Sequence, residues 1–197
     1  MSRIIIVAHE DTLLDSLKCT PSLIVSTITS SLLISHGIRK DTTLYLFFRE
    51  DEVYLAFLGN KVKQLRPDEQ SVMGILRKAK LKMRRGVTRK SHIVHPGILI
   101  GKTTLNRLIS KVSRSYGNIL KLKSVFKYGL DIRTVNFNKY TSFLIIVPLI
   151  PSDDQLLENI NESILNVRLS RTSLDAPKLI ILFHNEVDRH VFKRGRY

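Results

Sequence analysis

Three scarcities narrow the reading of this 197-residue chain: one cysteine, no tryptophan, and almost no acid between residues 77 and 140. With Cys19 alone, neither an intramolecular disulfide nor a multi-cysteine zinc site can form. No apolar run reaches the roughly 18 residues that a membrane-spanning helix needs. Thr20 to Ile38 comes nearest, and Ser, Thr and His interrupt it. The opening Met1-Ser2-Arg3 before Ile4-Ile5-Ile6-Val7 has too short an apolar part for a signal peptide. A cytoplasmic protein with no membrane attachment is expected. There is also no Walker loop, GxGxxG, HExxH or GxSxG, which sets aside the commonest nucleotide-binding and hydrolytic chemistries. His92 and His95 stand near each other without a neighbouring carboxylate or cysteine. They read as a polar loop, and no metal site is expected.

What is present in excess is positive charge, and its distribution is uneven. Residues 1–76 hold eight Lys/Arg and nine Asp/Glu, and residues 141–197 hold seven of each. Residues 77–140 hold seventeen Lys/Arg against the single acid Asp131, so the net charge of +15 arises in the middle third. Clustered like charges repel and work against compactness. A polyanion offsets that cost, because each neutralised phosphate releases condensed counterions. The stretch lacks the Trp and Phe face of a membrane-surface helix. Nucleic acid is therefore the expected partner.

The hydrophobic pattern is that of an α/β protein. Residues 3–8 read as a buried strand. Pro21 to His36 reads as a helix with Thr20 as cap, Ile24, Ile28 and Leu32 as its apolar stripe, and Gly37 as its stop. Residues 42–48 and 52–58 read as a hairpin, and 59–66 as a third extended segment. Pro67-Asp68-Glu69 opens a basic helix that ends at Gly86. Strands at 98–100, 118–123 and 143–147 then alternate with helices at 102–114 and 153–163, as in βα units on a parallel sheet. Ser152-Asp153-Asp154-Gln155 has the form of a capping box. A strand over Asn166–Leu169, a polar loop over 170–177 and a helix from Lys178 to about Phe192 complete the chain. One domain is expected over 1–197, with a hairpin and basic helix in 1–97 and βα units in 98–197. The apolar start of the last helix, Leu179 to Phe183 with Val187, is read either as core or as a surface for a second copy.

Two segments put charge at helix–strand junctions, where active-site loops of α/β folds tend to lie. One is Ser35-His36-Gly37-Ile38-Arg39-Lys40-Asp41. The other is Gly59-Asn60-Lys61, followed by Leu65-Arg66-Pro67-Asp68-Glu69. On composition alone these are caps and solvated turns.

Taken together they carry a resemblance. Ser31 to Lys82 is similar, almost continuously, to the N-terminal half of the archaeal-type tRNA pseudouridine N1-methyltransferase family: a helix ending in SH-x-IR-K-D, strands, and then PDE with a basic helix. The Pro96-Gly97-Ile98 step, Asn118 to Leu122, and the spacing from Phe143 to His184-Asn185 with Asp188 also match. The resemblance implies an α/β SPOUT fold, with a mostly parallel sheet flanked by helices and a C-terminal deep trefoil knot. Such a knot is rare among protein chains. It implies a homodimer that binds S-adenosylmethionine and methylates N1 of pseudouridine in the TΨC arm of tRNA, at position 54. Residues 98–197 would then be the knotted cofactor-binding part.

The site residues that follow from the resemblance fall into three groups. Asp41 would accept or orient the N1 proton, and Arg39 would hold a phosphate or the uracil oxygens. Lys40, Lys61, Arg84, Arg85, Arg89 and Lys90 would anchor the RNA backbone. Leu122, Ile146, Leu169, Ser170, Arg171, Thr172, Ser173, Leu174 and Leu179 would surround the cofactor. The chain also departs from the family. Ile146-Val147-Pro148-Leu149-Ile150-Pro151 stands where the family has a glycine-rich loop, Leu179 stands where it has a small Cys, and Arg66 replaces a Ser cap. Two other readings stay open: an RNA-binding relative without a functional cofactor loop, and an rRNA pseudouridine methyltransferase.

Overall fold

The computed structural model describes residues 1–35, 37–66, 68–160 and 163–194, with only the backbone of 191–194. His36 and Pro67, which belong to the motifs above, lie outside the described residues.

The elements in chain order are β1 (Ser2–His9), α1 (Leu13–Cys19), α2 (Pro21–Leu32), β2 (Leu33–Ile34), β3 (Gly37–Ile38), β4 (Thr42–Phe48), β5 (Val53–Leu58) and α3 (Glu69–Arg84). There follow β6 (His92–His95), β7 (Ile98–Lys102), α4 (Leu105–Ser115), β8 (Ile119–Ser124), β9 (Leu130–Asp131), β10 (Ser142–Pro148), α5 (Asp154–Glu158), β11 (Leu165–Arg168) and α6 (Ala176–Arg194). Nine strands form one sheet in the order β6-β7-β5-β4-β1-β10-β8-β11-β9. From β4 to β9 every neighbouring pair is parallel, while β5, β7 and β6 extend the sheet antiparallel. β1 and β10 lie at the centre, in register from Ser2 opposite Ser142 to Ala8 opposite Pro148. Both are apolar on both faces, as a doubly covered parallel strand must be.

The alternation of side chains along β1 sorts the core into two layers. Ile5 and Val7 face α1, α2, α3 and α6, together with Ile24, Ile28, Leu76, Ile180 and Phe183. Ile4, Ile6 and Ala8 face α4 and α5, together with Leu108, Ile109, Val112 and Leu157. Leu179, Ile180, Phe183 and Val187 are buried, so the start of α6 is core. Of the apolar residues on that stretch, Ile181 is exposed.

Several sequence expectations are corrected. α2 stops at Leu32, because Leu33 and Ile34 pair with Ile38 and Gly37 instead of adding helical turns. Residues 59–66 form turns and not a strand. The helix expected over 153–163 ends at Glu158. It is not opened by a capping box from Ser152, because the Asp153 carboxylate points inward to the Ile150 amide. His92 and His95 lie on the edge strand β6, not in a loop. The short elements α1, β2, β3, β6 and β9 were not anticipated. α1 has a local cause that is visible afterwards: Thr12 accepts from the Asp15 amide, and Asp51 accepts from that of Leu13 at 2.8 Å. No described helix is long and apolar enough to cross a membrane.

Candidate functional site

Six parallel strands share one direction, and the two ends of that array carry different chemistry. Ligands in open α/β sheets gather at the carboxyl ends of the strands. There the structure forms a cleft from the loops that follow β8, β10 and β11. Its inner hollow, of about 20 Å³, is lined by Ser124, Val125, Phe126, Pro151 and Asp154 with Leu169, Ser170, Thr172, Ser173, Leu174 and Leu179. Its outer hollow, of about 210 Å³, shares Ser124, Val125, Phe126 and Asp154, and adds Lys123, Lys127, Tyr128, Leu157 and Glu158.

Of the residues that the resemblance assigns to the cofactor, Leu169, Ser170, Thr172, Ser173, Leu174 and Leu179 therefore line the cleft. Arg171 is exposed and lines an adjoining hollow with Asp131, Arg133 and Glu186. Leu122 and Ile146 have fully buried side chains in opposite core layers, because their strands are covered on both faces, and they are not part of the lining of these two hollows. Sequence reasoning missed Ser124, Val125, Phe126, Pro151 and Asp154. The signal was their position just past the ends of apolar strands. Asp154 is the acid common to both hollows. Burial and the neighbouring charges of Asp153 and Glu158 push its carboxyl above the usual range.

Beside the cleft, at the end of β1, the loop after β10 is tied down by one buried acid. Asp153 accepts from His9 Nδ1 at 2.8 Å, from the Glu10 amide at 3.2 Å and from the Ile150 amide at 3.2 Å. Main-chain bonds add to this: the Leu149 amide donates to Ala8 and the Ala176 amide to Leu149. Although burial works against it, the hydrogen bond and charge of Asp153, with Asp11 and Glu10, raise the His9 pKa above its ordinary value.

The opposite end of the sheet holds the turn before β4. The Arg3 guanidinium, 5% exposed, contacts Asp41 at 3.0 Å and bonds to Asp188 and to His184 Nδ1. Arg39 donates to the second Asp188 oxygen at 3.1 Å. His184 Nε2 lies 3.0 Å from the Ser31 carbonyl, so it carries the proton and the ring accepts from Arg3. Burial, then the charges of Arg39 and Arg3, pull its pKa down to about 3, and the ring is neutral. Burial pushes the Asp188 carboxyl up, but Arg3 and Arg39 hold it below its ordinary value.

Both charged segments singled out in the sequence meet at this end. The Gly59 amide donates to Thr42 at 2.9 Å, and a side chain at 59 would collide with the carbonyls of Arg39 and Thr42. Lys40 and Lys61 are exposed beside it. Asp41, expected to accept or orient the N1 proton, pairs with Arg3 and lies at the far end of β1 from the cleft of the same chain. That is about 20 Å at roughly 3.3 Å per residue.

The basic stretch, contiguous in sequence, divides in space. Arg84, Arg85, Arg89 and Lys90 are exposed on α3 and the segment leading to β6, at one edge of the sheet. Among the described residues none of the four makes an ion pair. Lys127 and Arg133 stand at the other edge, beside β9.

Comparison with known proteins agrees with this geometry. A family model described as SAM-dependent RNA methyltransferase matches residues 8–192. The tRNA (pseudouridine(54)-N(1))-methyltransferase of Methanococcus vannielii is 28% identical over 174 residues, covering 85% of this chain and 84% of its own. The protein of the same name from Methanospirillum hungatei is 29% identical over 171 residues, covering 85% and 81%. Among solved structures, Archaeoglobus fulgidus Nep1 bound to S-adenosylhomocysteine has a TM-score of 0.61 at 12% identity, covering 96% of this chain and 98% of its own. At that identity the likeness is one of fold.

Proposed function

The chain belongs to the SAM-dependent RNA methyltransferase family, and from that premise we propose that it methylates N1 of pseudouridine 54 in the TΨC arm of tRNA. The observation that carries the reading is the cleft. The loops after three parallel strands converge on one hollow that holds hydroxyls (Ser170, Thr172, Ser173), apolar walls (Leu169, Leu174, Leu179) and a carboxylate (Asp154). That donor set fits S-adenosylmethionine, which combines an aromatic base, ribose hydroxyls and positive charge.

When bound, S-adenosylmethionine supplies an electrophilic methyl group. Leu169, Leu174 and Leu179 would pack on the adenine, and Asp154 would accept from hydroxyl or ammonium donors. Much of the protein's work is positioning. Arg39 keeps guanidinium N–H groups beyond the one bonded to Asp188, and these would hold a phosphate or the uracil oxygens. Asp41, fixed by Arg3, orients that array. Lys40, Lys61 and the cations of α3 and its flank would take the tRNA backbone.

Arg39 and the cleft lie at opposite ends of one chain, so a site that uses both needs two copies. We infer a homodimer in which the turn before β4 of one copy faces the cleft of the other, with the exposed Ile181 within reach of the contact. The main-chain bond from the Ala176 amide to Leu149 sets the start of α6 against the loop after β10, which is in keeping with the C-terminal trefoil knot that the family resemblance implies. We propose a cytoplasmic site of action, in keeping with a tRNA substrate, and one domain over 1–197.

The narrowness of the inner hollow, about 20 Å³, together with the glycine-free run Ile146 to Pro151 where the resemblance implies a glycine-rich loop, favours one second reading: an RNA-binding relative that no longer takes the cofactor. The test that separates them is nucleoside analysis. Protein and S-adenosylmethionine are incubated with tRNA transcripts that do or do not carry pseudouridine in the TΨC arm. 1-Methylpseudouridine should form in the first transcript only. Binding of both RNAs with no methylated product would establish the second reading.

A further inference from the structure

This inference rests on the RNA-modifying role proposed above and extends it to how a base is held. Eight large apolar side chains are substantially exposed among the described residues, and three of them fall within five positions: Phe126 at 38%, Tyr128 at 58% and Leu130 at 54%. Exposed apolar groups gathered in this way mark an interaction site more often than a lone one does.

The loop that carries them leaves β8 at the mouth of the cleft, and Phe126 and Tyr128 both line the outer hollow. It is tethered at both ends. The Val125 amide donates to Val167 at 2.9 Å, and Leu130 pairs with Val167 in the sheet. Gly129 holds the return at φ +142, where a side chain would come within 2.7 Å of Val125. The rings are thus presented from a shaped loop.

The outer hollow carries both signs of charge, Asp154 and Glu158 on one side and lysines beside the rings. Lys127 stands between the rings in sequence, and Lys123 lines the same hollow with Nζ held by the Leu157 carbonyl at 3.0 Å. Residues 119–139 contain five Lys/Arg and one acid, Asp131, which is ion-paired to Arg133. Rings interleaved with cations suit an unpaired RNA strand, whose bases stack on aromatics while phosphates meet lysines. A base buried in a tRNA arm must leave its stack before its edge can be reached.

We propose that Phe126 and Tyr128 form a stacking platform for an unstacked RNA base at the mouth of the cleft, with Lys123 and Lys127 serving its flanking phosphates. The chain has no tryptophan, so Tyr128→Trp installs a single reporter. Its emission should be quenched saturably by single-stranded oligouridylate and by tRNA. Unchanged emission while tRNA binds would overturn the proposal. So would a spectral change that grows with protein concentration in the absence of RNA, which would mark a protein interface. As a second measurement, Tyr128→Ala should weaken tRNA affinity about tenfold, in line with the roughly 1–3 kcal/mol that one stacked base contributes, and Tyr128→Phe should restore it. Equal affinity for all three proteins would also overturn it. Quenching by RNA without any methylated product would keep the platform and remove the enzymatic reading, whereas product without quenching would do the reverse.

Discussion

His9 donates from Nδ1 to Asp153 at 2.8 Å, joining the end of the first strand to the loop after β10. The same carboxylate holds the amides of Glu10 and Ile150, so one buried acid, 3% exposed, sets the path of the chain into Asp154 and the cleft. Rigid support of this kind matters because a binding loop displaced by a fraction of an ångström loses its fit.

Asp153→Asn keeps the shape of the side chain but cannot serve all three donors. It is expected to weaken S-adenosylhomocysteine binding about tenfold, near 1.4 kcal/mol, and to lower the melting temperature. Affinity for tRNA through α3 and its flank should change little. Calorimetry with the nucleoside and filter binding with the RNA separate the two effects. Equal loss in both would show general unfolding instead.

The two buried histidines should give opposite pH dependences of stability. His184 has its pKa pulled down to about 3, chiefly by burial, while the unfolded chain titrates near 6.5. The unfolded state therefore binds more protons as pH falls below 6.5, and stability is lost on the acid side. At pH 5 that amounts to about 2 kcal/mol relative to pH 8, a shift on the order of 5 °C in melting temperature. His9 has its pKa raised. Its contribution is complete below 6.5 and is lost as pH rises through the folded value. Melting curves from pH 5 to 9 should show that His184→Gln flattens the acid limb and His9→Gln the alkaline limb. Parallel curves for both variants and the parent would contradict the assignment.

Arg39→Ala should cost methylation far more than folding. Asp188 keeps Arg3, so the structural loss is about 1 kcal/mol, typical of a half-buried pair that retains one partner. Loss of a guanidinium that holds the nucleotide should lower kcat/KM by about a hundredfold or more. Binding of S-adenosylhomocysteine, some 20 Å away along the strands of the same chain, should be untouched. Full activity in this variant would remove the turn before β4 from the nucleotide site.

Charge reversal at Arg84 and Arg85 tests the RNA face. Both are exposed at the end of α3 and unpaired among the described residues. The double Glu variant should weaken tRNA binding evenly across sequences and reduce the slope of log affinity against log salt by about 2, one for each phosphate contact. An unchanged slope would place the RNA elsewhere.

How much of this was legible in the sequence follows from the range of the interactions. The apolar runs at Ile4–Val7 and Phe143–Val147 announced central strands, and Asp68 with Gly86 bracketed α3, because each signal is local. α2 was read four residues too long, because its end is decided by Leu33 pairing with Ile38 and not by propensity. α1 and β9 are too short to have a period. The charged networks were hidden for a different reason. Arg3 meets Asp188 across 185 positions and His9 meets Asp153 across 144, and composition carries no trace of such partners. The loop over 169–174 is assigned by the family resemblance, and five of its six residues line the cleft. The side chain of Ile146 is turned into the core, because its strand is covered on both faces.

A cofactor site in the cleft after β8, β10 and β11 is tested directly by calorimetric titration of the full chain with S-adenosylhomocysteine. Saturable heat at one site per chain is expected, weakened by Asp154→Ala. No heat at protein concentrations of tens of micromolar, with tRNA binding intact, would contradict it and leave an RNA-binding fold without its chemistry.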